Sequence, residues 1–309
     1  MRHRTVRIAD RYDRVMDVVI AGGSGFIGQR LARRLVDRGD AVTVLTRNPD
    51  RPAESGLTWA AYEDGPLSAD VVVNLAGENL FSKRWSAQQK AVMRESRVDQ
   101  TEALVARMVS EPRPKVLVQA SAIGFYGDRG EEPLDEDSGP GPTGTFLTKC
   151  CRDWEAAGAA ATAYGVRVVL LRIGVVLGPE GGAVKAMLPP FRFFAGGPVG
   201  NGKQWMSWIH AEDLVSLILH CIDNQGISGP VNGTAPNPVT MRSFCKALGG
   251  AIGRPSWLPV PGFAIRLLLG EVASVLLGSQ RISPRRAEES GFSFQHPDVT
   301  EALQDLLGG

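Results

Sequence analysis

The 309-residue sequence predicts an α/β fold, a doubly wound parallel sheet with a second, smaller C-terminal lobe. Three observations lead there. Apolar runs of strand length at 18–21, 41–47, 70–77, 116–121 and 166–176 alternate with helical patterns. Those runs are apolar almost throughout, as strands covered by helices on both faces must be. Beyond residue 178 the alternation gives way to loops marked by Gly181-Gly182, Pro189-Pro190, Gly196-Gly197-Pro198 and Gly200-Asn201-Gly202.

The first strand stops in glycines, Gly22-Gly23-Ser24-Gly25-Phe26-Ile27-Gly28, and a helix then begins with Leu31, Leu35 and Val36 on one face. Strand, tight turn and helix N-terminus offer backbone N–H groups and a positive dipole to a pyrophosphate. Gly22 permits the turn, Gly25 a close approach to phosphate, and Gly28 tight packing of helix on strand. Ser24, Phe26 and Ile27 complete the expected cofactor-binding turn. The second strand ends in Thr46-Arg47-Asn48, where an NAD site would carry a carboxylate. A guanidinium there suits a 2′-phosphate, so NADP(H) is the expected cofactor.

Residues 48–67 contain at most a short strand near 57–61. The next strand ends in Asn74-Leu75-Ala76-Gly77, small residues that let a ribose approach Leu75, Ala76 and Gly77. A helical pattern at 86–109 turns Thr101, Leu104, Val105 and Met108 to one side, and a second spans 146–164. Val175, in the last apolar run, joins the expected cofactor contacts. Every such motif lies at a strand's carboxyl end, where ligands of these sheets bind. Phe191, Phe193, Phe194, Trp205 and Trp208 either line a pocket or form the lobe's own core.

Net charge is +1, which provides no global field for nucleic acid or a membrane surface. The apolar run 263–278 is broken by Arg266 and Glu271, so it is no spanning segment but a buried helix pair or a partner-facing surface. Cys150, Cys151, Cys221 and Cys245 form neither a metal motif nor a disulfide framework, which suits a reducing cytoplasm. Four scattered histidines suggest no metal site. Residues 1–15 are arginine-rich, read as a disordered tail, and are expected to contribute nothing to the fold. The expected division is a dinucleotide-binding domain over 16–178 with a returning segment at 209–235, and a small substrate lobe from 179–208 and 236–309.

Gly22 to Gly28, Asn74-Leu75-Ala76-Gly77-Glu78, Arg84-Trp85, Ser96-Arg97, Tyr126-Gly127, Trp154-Glu155, Gly178-Pro179 and Trp208-Ile209-His210 together resemble an atypical extended short-chain dehydrogenase/reductase. More narrowly, they resemble the nucleoside-diphosphate-sugar epimerase-like, or cell-division-inhibitor-like, family with its own C-terminal domain. The resemblance implies a Rossmann domain, a small-molecule substrate of nucleotide-sugar type, hydride chemistry as an oxidoreductase or epimerase, and a homodimer built on the helices at 86–109 and 146–164. It also implies a Ser or Thr four residues before Tyr126 and a Tyr-x-x-x-Lys helix. Here Ala122 stands in the first place and Thr145 in the second, leaving Lys149. Tyr126, Ser121 and Lys149 are therefore the substitutes to consider for catalysis. Arg97 could neutralise a phosphate, and Trp85, Trp205 and Trp208 could line the substrate pocket. The competing expectation is a regulatory protein that binds NADP(H) and acts through partners.

Overall fold

The computed structural model describes residues 15–50, 52, 56–62, 67–142 and 144–308, so the expectation for the arginine-rich tail falls almost wholly outside them. Seven parallel strands form the main sheet: β1 (Asp17–Ala21), β2 (Ala41–Leu45), β3 (Leu57–Ala60), β4 (Val71–Asn74), β5 (Val116–Ala122), β6 (Arg167–Ile173) and β7 (Gly229–Gly233). Their order is β7-β6-β5-β4-β1-β2-β3. The direction of winding reverses between β1 and β4, which opens a crevice at their carboxyl ends.

Both faces are covered, and the period-two alternation of the strands decides which residue goes where. Val18 and Ile20 pack with Leu31 and Leu35 of α1 (Phe26–Arg38) on one face. Val19 and Ala21 pack on the other. The helical pattern at 86–109 becomes α2 (Ala87–Arg94), one π turn (Glu95–Asp99) and α3 (Gln100–Ala106). Its predicted inner residues Thr101, Leu104, Val105 and Met108 are all buried. Next comes α4 (Phe146–Ala159), whose Trp154 and Ala157 pack against Val98 and Ala120.

The apolar run 166–176 is not one strand. It breaks at Gly174, where a Cβ would lie 2.8 Å from the Ser207 carbonyl oxygen. The chain then pairs residues 175–177 with 208–210 instead of with the main sheet. Pro189 and Pro190, which read as loop markers, lie in the last turn of α5 (Gly182–Arg192). A proline's missing N–H removes a helical hydrogen bond; here the helix is already ending, and Leu188 and Phe191 anchor that turn in a second core.

That second core builds the lobe. Trp208, Phe191, Phe244 and Leu303 are nearly or fully buried together, joining α5, α7 (Met241–Ala251) and α11 (Val299–Leu307). Against the first core packs α6 (Ala211–Asp223), capped by His210, whose Nδ1 accepts the Glu212 backbone N–H at 3.2 Å. The Asp213 carboxylate accepts the N–H groups of Gln295 and His296. The remaining helices are α8 (Gly262–Leu269), α9 (Ala273–Leu277) and α10 (Arg285–Glu289).

A buried ion pair ties α4 to β6. Arg172 donates Nε and Nη2 to the two carboxylate oxygens of Glu155, each at 2.9 Å, with side-chain exposures of 5% and 8%. Removing one partner strands a buried charge, which costs far more than replacing both. Arg172→Met is expected to destabilise the fold by about 3–5 kcal/mol in urea unfolding, and Arg172→Met with Glu155→Leu by much less.

Burial, and then the neighbouring His296, hold the His210 pKa below its ordinary value. The unfolded chain takes up that proton as pH falls through about 6.5, whereas the folded chain resists it. Stability should therefore decline below about pH 6.5, with a shallower decline in His210→Asn, which keeps a helix cap without titrating. Thermal midpoints measured across that range check this.

Candidate functional site

The glycine turn is fixed by what surrounds it. Gly22 has φ +78°, and a Cβ there would lie 2.7 Å from the Ala76 nitrogen. A Cβ on Gly28 would lie 2.4 Å from the Gly22 carbonyl oxygen. Gly25 differs, since its Cβ would meet the Gly22 oxygen alone, at 3.2 Å. The turn thus closes inward at Gly22 and Gly28 and opens outward at Gly25. Gly25 is also the N-cap of α1, with no side-chain cap and no acidic residue in the first turn. Uncapped backbone donors beside open space form an anion cradle, and Ser24, Phe26 and Ile27 carry the backbone through it. Tyr62, missed in the sequence, backs this turn by accepting the Gly22 N–H at 3.2 Å through its hydroxyl.

At the end of β2, the Thr46 hydroxyl accepts the Asn48 N–H and shapes the turn that exposes Arg47. Among the described residues Arg47 has no hydrogen-bonded or ion-paired partner. A cleft of ≈ 80 Å³ opens behind the glycine turn, lined by Gly23, Gln29, Ala32, Arg33, Val44, Leu57 and Trp59. Arg33 gave no signal in the sequence, because a helix-surface arginine is commonplace there.

Across the crevice, buried Asn74 donates to Thr101 Oγ1 and Gln119 Oε1, both at 2.9 Å, and accepts the Ala76 N–H. That fixes Leu75, Ala76 and Gly77 at the edge of the sheet. Arg97, in the π turn, reaches the same place: a Cβ on Gly77 would lie 3.1 Å from its guanidinium carbon. It donates to the Glu78 carbonyl at 2.9 Å and lies over Trp154 at 5.2 Å. Burial lowers its pKa from a high starting value, and it stays charged.

Of the three residues considered for catalysis, two join one buried network and the third lies apart. Tyr126 is fully buried; its hydroxyl donates to Asn232 Oδ1 at 2.8 Å and accepts from Arg172 Nη1 at 2.9 Å. Desolvation pushes its pKa up to about 12, against the lowering effect of Arg172. Ser121 donates to Glu155 Oε1 at 2.7 Å and so joins the same buried network. Lys149 is exposed on α4. Thr145, where the family's tyrosine would stand, is the N-cap of α4 and accepts the Thr148 N–H.

The three tryptophans also part company. Trp208 is sealed in the lobe core, with its indole N–H on the Asn237 carbonyl. Trp205 is half-buried beneath Arg281 at 4.8 Å. Trp85 packs with Met93 and Val272, flanked by Leu269 and Val275 of the 262–277 segment. That segment is held down by Lys90–Glu271 at 2.5 Å and by Arg84 donating to the Leu267 carbonyl at 2.7 Å. Val175 is paired with Trp208 and half-buried.

All four cysteines are buried as free thiols, and burial raises their pKa values, so none presents a thiolate. His210, His296 and Asp305 bring potential ligand atoms within 4.8 Å of one another. Because His210 Nδ1 accepts an N–H, the neutral ring's proton resides on Nε2, 3.4 Å from Asp305. That nitrogen then has no lone pair for a metal. Among the described residues, no helix is long and apolar enough to cross a membrane.

The sequence pattern of the NAD dependent epimerase/dehydratase family matches residues 18–232, and a domain of unknown function, DUF1731, matches residues 260–306. The chain is 43% identical over 305 residues to an Arabidopsis thaliana protein, the chloroplastic homolog of epimerase family protein SDR39U1, covering 94% of this chain and 87% of that one. The crystal structure of human epimerase family protein SDR39U1 (isoform 2) with NADPH superposes with a TM-score of 0.86 at 33% identity, over 94% of this chain and 99% of that one. A nucleoside-diphosphate sugar epimerase from Corynebacterium glutamicum superposes at 0.76 with 34% identity, over 96% of this chain and 59% of that one. With the glycine cradle, the sheet order and these matches agreeing, the chain belongs to the NAD dependent epimerase/dehydratase family.

Proposed function

We propose that this protein binds NADP(H) across the β1/β4 crevice and serves as an oxidoreductase or epimerase on a small, nucleotide-sugar-like molecule. The observation that carries the reading is the cradle at Gly25, open outward and uncapped where a pyrophosphate needs backbone donors. The human relative crystallised with NADPH supports it. In this reading Gly22 to Gly28 hold the pyrophosphate, unpaired Arg47 meets the 2′-phosphate, and Leu75 to Gly77 leave room for ribose. When bound, the cofactor supplies a hydride donor or acceptor. Arg97, fixed against Gly77, orients a phosphate or polar group at the same edge.

The proton chemistry does not run through the tyrosine-lysine pair in this reading. A phenol with a pKa near 12, held between Arg172 and Asn232, has no free direction in which to exchange a proton. Tyr126 and Ser121 serve the network that joins the sheet to α4, and Thr145 starts that helix. The same displacement favours a second reading, in which NADP(H) is bound without turnover and the protein acts through partners.

Titration calorimetry tests the cofactor. Gly25→Val is expected to weaken NADPH binding roughly tenfold or more with little change in thermal midpoint, because the added group points into the cradle and not into the core. Arg47→Ser should cost roughly tenfold or more for NADPH and almost nothing for NADH, since the loss falls on one phosphate. Undetectable NADPH binding by the native chain would sink the proposal.

Tyr126→Phe separates the catalytic possibilities. Leaving Asn232 and Arg172 short of a partner is expected to cost about 1–3 kcal/mol of stability. NADPH affinity, and any substrate-dependent NADPH oxidation, should stay close to native. Oxidation abolished in a folded Tyr126→Phe protein would instead make the phenol the acid.

A further inference from the structure

The nearly neutral total charge conceals two stretches of one sign. Residues 181–211 contain Lys185, Arg192 and Lys203, and residues 224–270 contain Arg242, Lys246, Arg254 and Arg266; neither stretch contains any Asp or Glu. All seven cations are exposed. The same two stretches carry most of the molecule's exposed large apolar side chains: Phe193 at 82%, Trp257 at 64%, Phe263 at 74%, Leu267 at 78% and Leu268 at 70%.

The segments around 193–200 and 254–268 form one ridge. The Trp257 indole donates to the Phe194 carbonyl at 3.0 Å, and Arg254 lies over the Phe194 ring at 4.5 Å. Val199 bridges Val260, and Gly200 donates to the Val260 carbonyl at 2.9 Å. From Pro261 the ridge passes directly into α8, none of whose residues is buried. On α8, Phe263, Arg266 and Leu267 fall at i, i+3 and i+4, which places two large apolar groups and a cation on one face. Glu271, just beyond, is neutralised by Lys90.

We propose that this ridge is a docking surface for an anionic lipid bilayer, with Trp257, Phe263, Leu267 and Leu268 entering the headgroup boundary and Arg254 and Arg266 meeting lipid phosphates. Exposed Trp, Phe and Leu flanked by Lys and Arg are the chemistry of an interfacial helix. A second copy of the chain fits less well, because a two-fold interface would press cations against cations. A folded acidic partner would satisfy the charge but would leave such large apolar groups to be matched separately. The protein would lie on the surface, consistent with the absence of a spanning helix among the described residues.

Cosedimentation of the full chain with phosphatidylcholine vesicles, with and without phosphatidylglycerol, tests this. Binding is expected for the anionic vesicles, weakened by salt. It should drop roughly fivefold each for Arg254→Gln and Arg266→Gln, and roughly tenfold or more for Phe263→Ser with Leu267→Ser. Those variants should keep native NADPH affinity and thermal midpoint, which separates lost docking from lost folding. Equal sedimentation of native and variant proteins overturns the proposal, as does no sedimentation with anionic vesicles. A native dimer in light scattering that the Phe263/Leu267 variant dissociates would assign the ridge to a second copy. Binding of poly-L-glutamate as tight as that of vesicles, and indifferent to Phe263 and Leu267, would assign it to an acidic protein.

Discussion

The closest backbone approach in the crevice governs how the molecule is put together. Gly22 and Gly28 leave no room for a Cβ because the first turn of α1, the end of β1 and the 75–76 segment meet there. Any side chain at either position would push α1 off the sheet or β4's loop off β1. Much else is hung on that contact. Arg30, from the helix so positioned, ion-pairs with both Glu180 and Glu212, and Phe26 fills the space left by Gly178 and Gly181. The glycine turn therefore holds the lobe to the sheet as well as leaving uncapped backbone donors at the start of α1. One backbone geometry does both, since tight packing on the inner side presents the donors on the outer side.

A second constraint explains why the catalytic pattern looks eroded while the fold is intact. Glu155 and Arg172 are buried together, and a buried pair is tolerated when its remaining hydrogen-bonding capacity is filled. Ser121 fills one position on Glu155, and Tyr126 fills one on Arg172. Asn232 from β7 then accepts the phenol's hydrogen bond through Oδ1 and donates its own backbone N–H to Glu136. Side chains whose chemistry suggests catalysis are thus committed to satisfying an ion pair. Thr145 is the parallel case at the helix start, where a short hydroxyl caps α4 as a tyrosine could not.

The sheet was legible because strand periodicity and the glycine turn are local signals. The two faces of β1 alternate as its sequence says, and the helix at 86–109 buries the residues its spacing selects. The break at Gly174 was not legible, because it answers a carbonyl from Ser207, far along the chain. Pro189 and Pro190 misled for a related reason, since Leu188 and Phe191 recruit the prolines' turn into a helix through tertiary packing. Gly25 stood out from its strand–helix context, and Arg47 from its place at the end of the second strand. Tyr62 and Arg33 did not, for neither residue type marks a turn or a pocket until the chain folds around it. The tryptophans show the limit of composition most sharply: Trp85, Trp205 and Trp208 occupy three different settings that nothing local distinguishes.

Charge was the property most changed by the structure. A total of +1 rules out a strong global field, but screening confines electrostatics to about 10 Å, so a surface responds to its local charge and not to the sum. The acidic residues that balance the sum lie outside the two stretches that build the ridge, several of them spent in ion pairs such as Arg30–Glu212, Arg38–Asp223 and Lys90–Glu271. The segments at 193–200 and 254–268 are cationic and apolar at once, while the lobe's acids beyond Glu271 sit on α10, α11 and their approaches. A patch of exposed Phe and Leu invites aggregation unless something covers it. Their retention beside unpaired arginines is therefore best explained by a use for both, and a charged lipid surface supplies the acid and the apolar phase together.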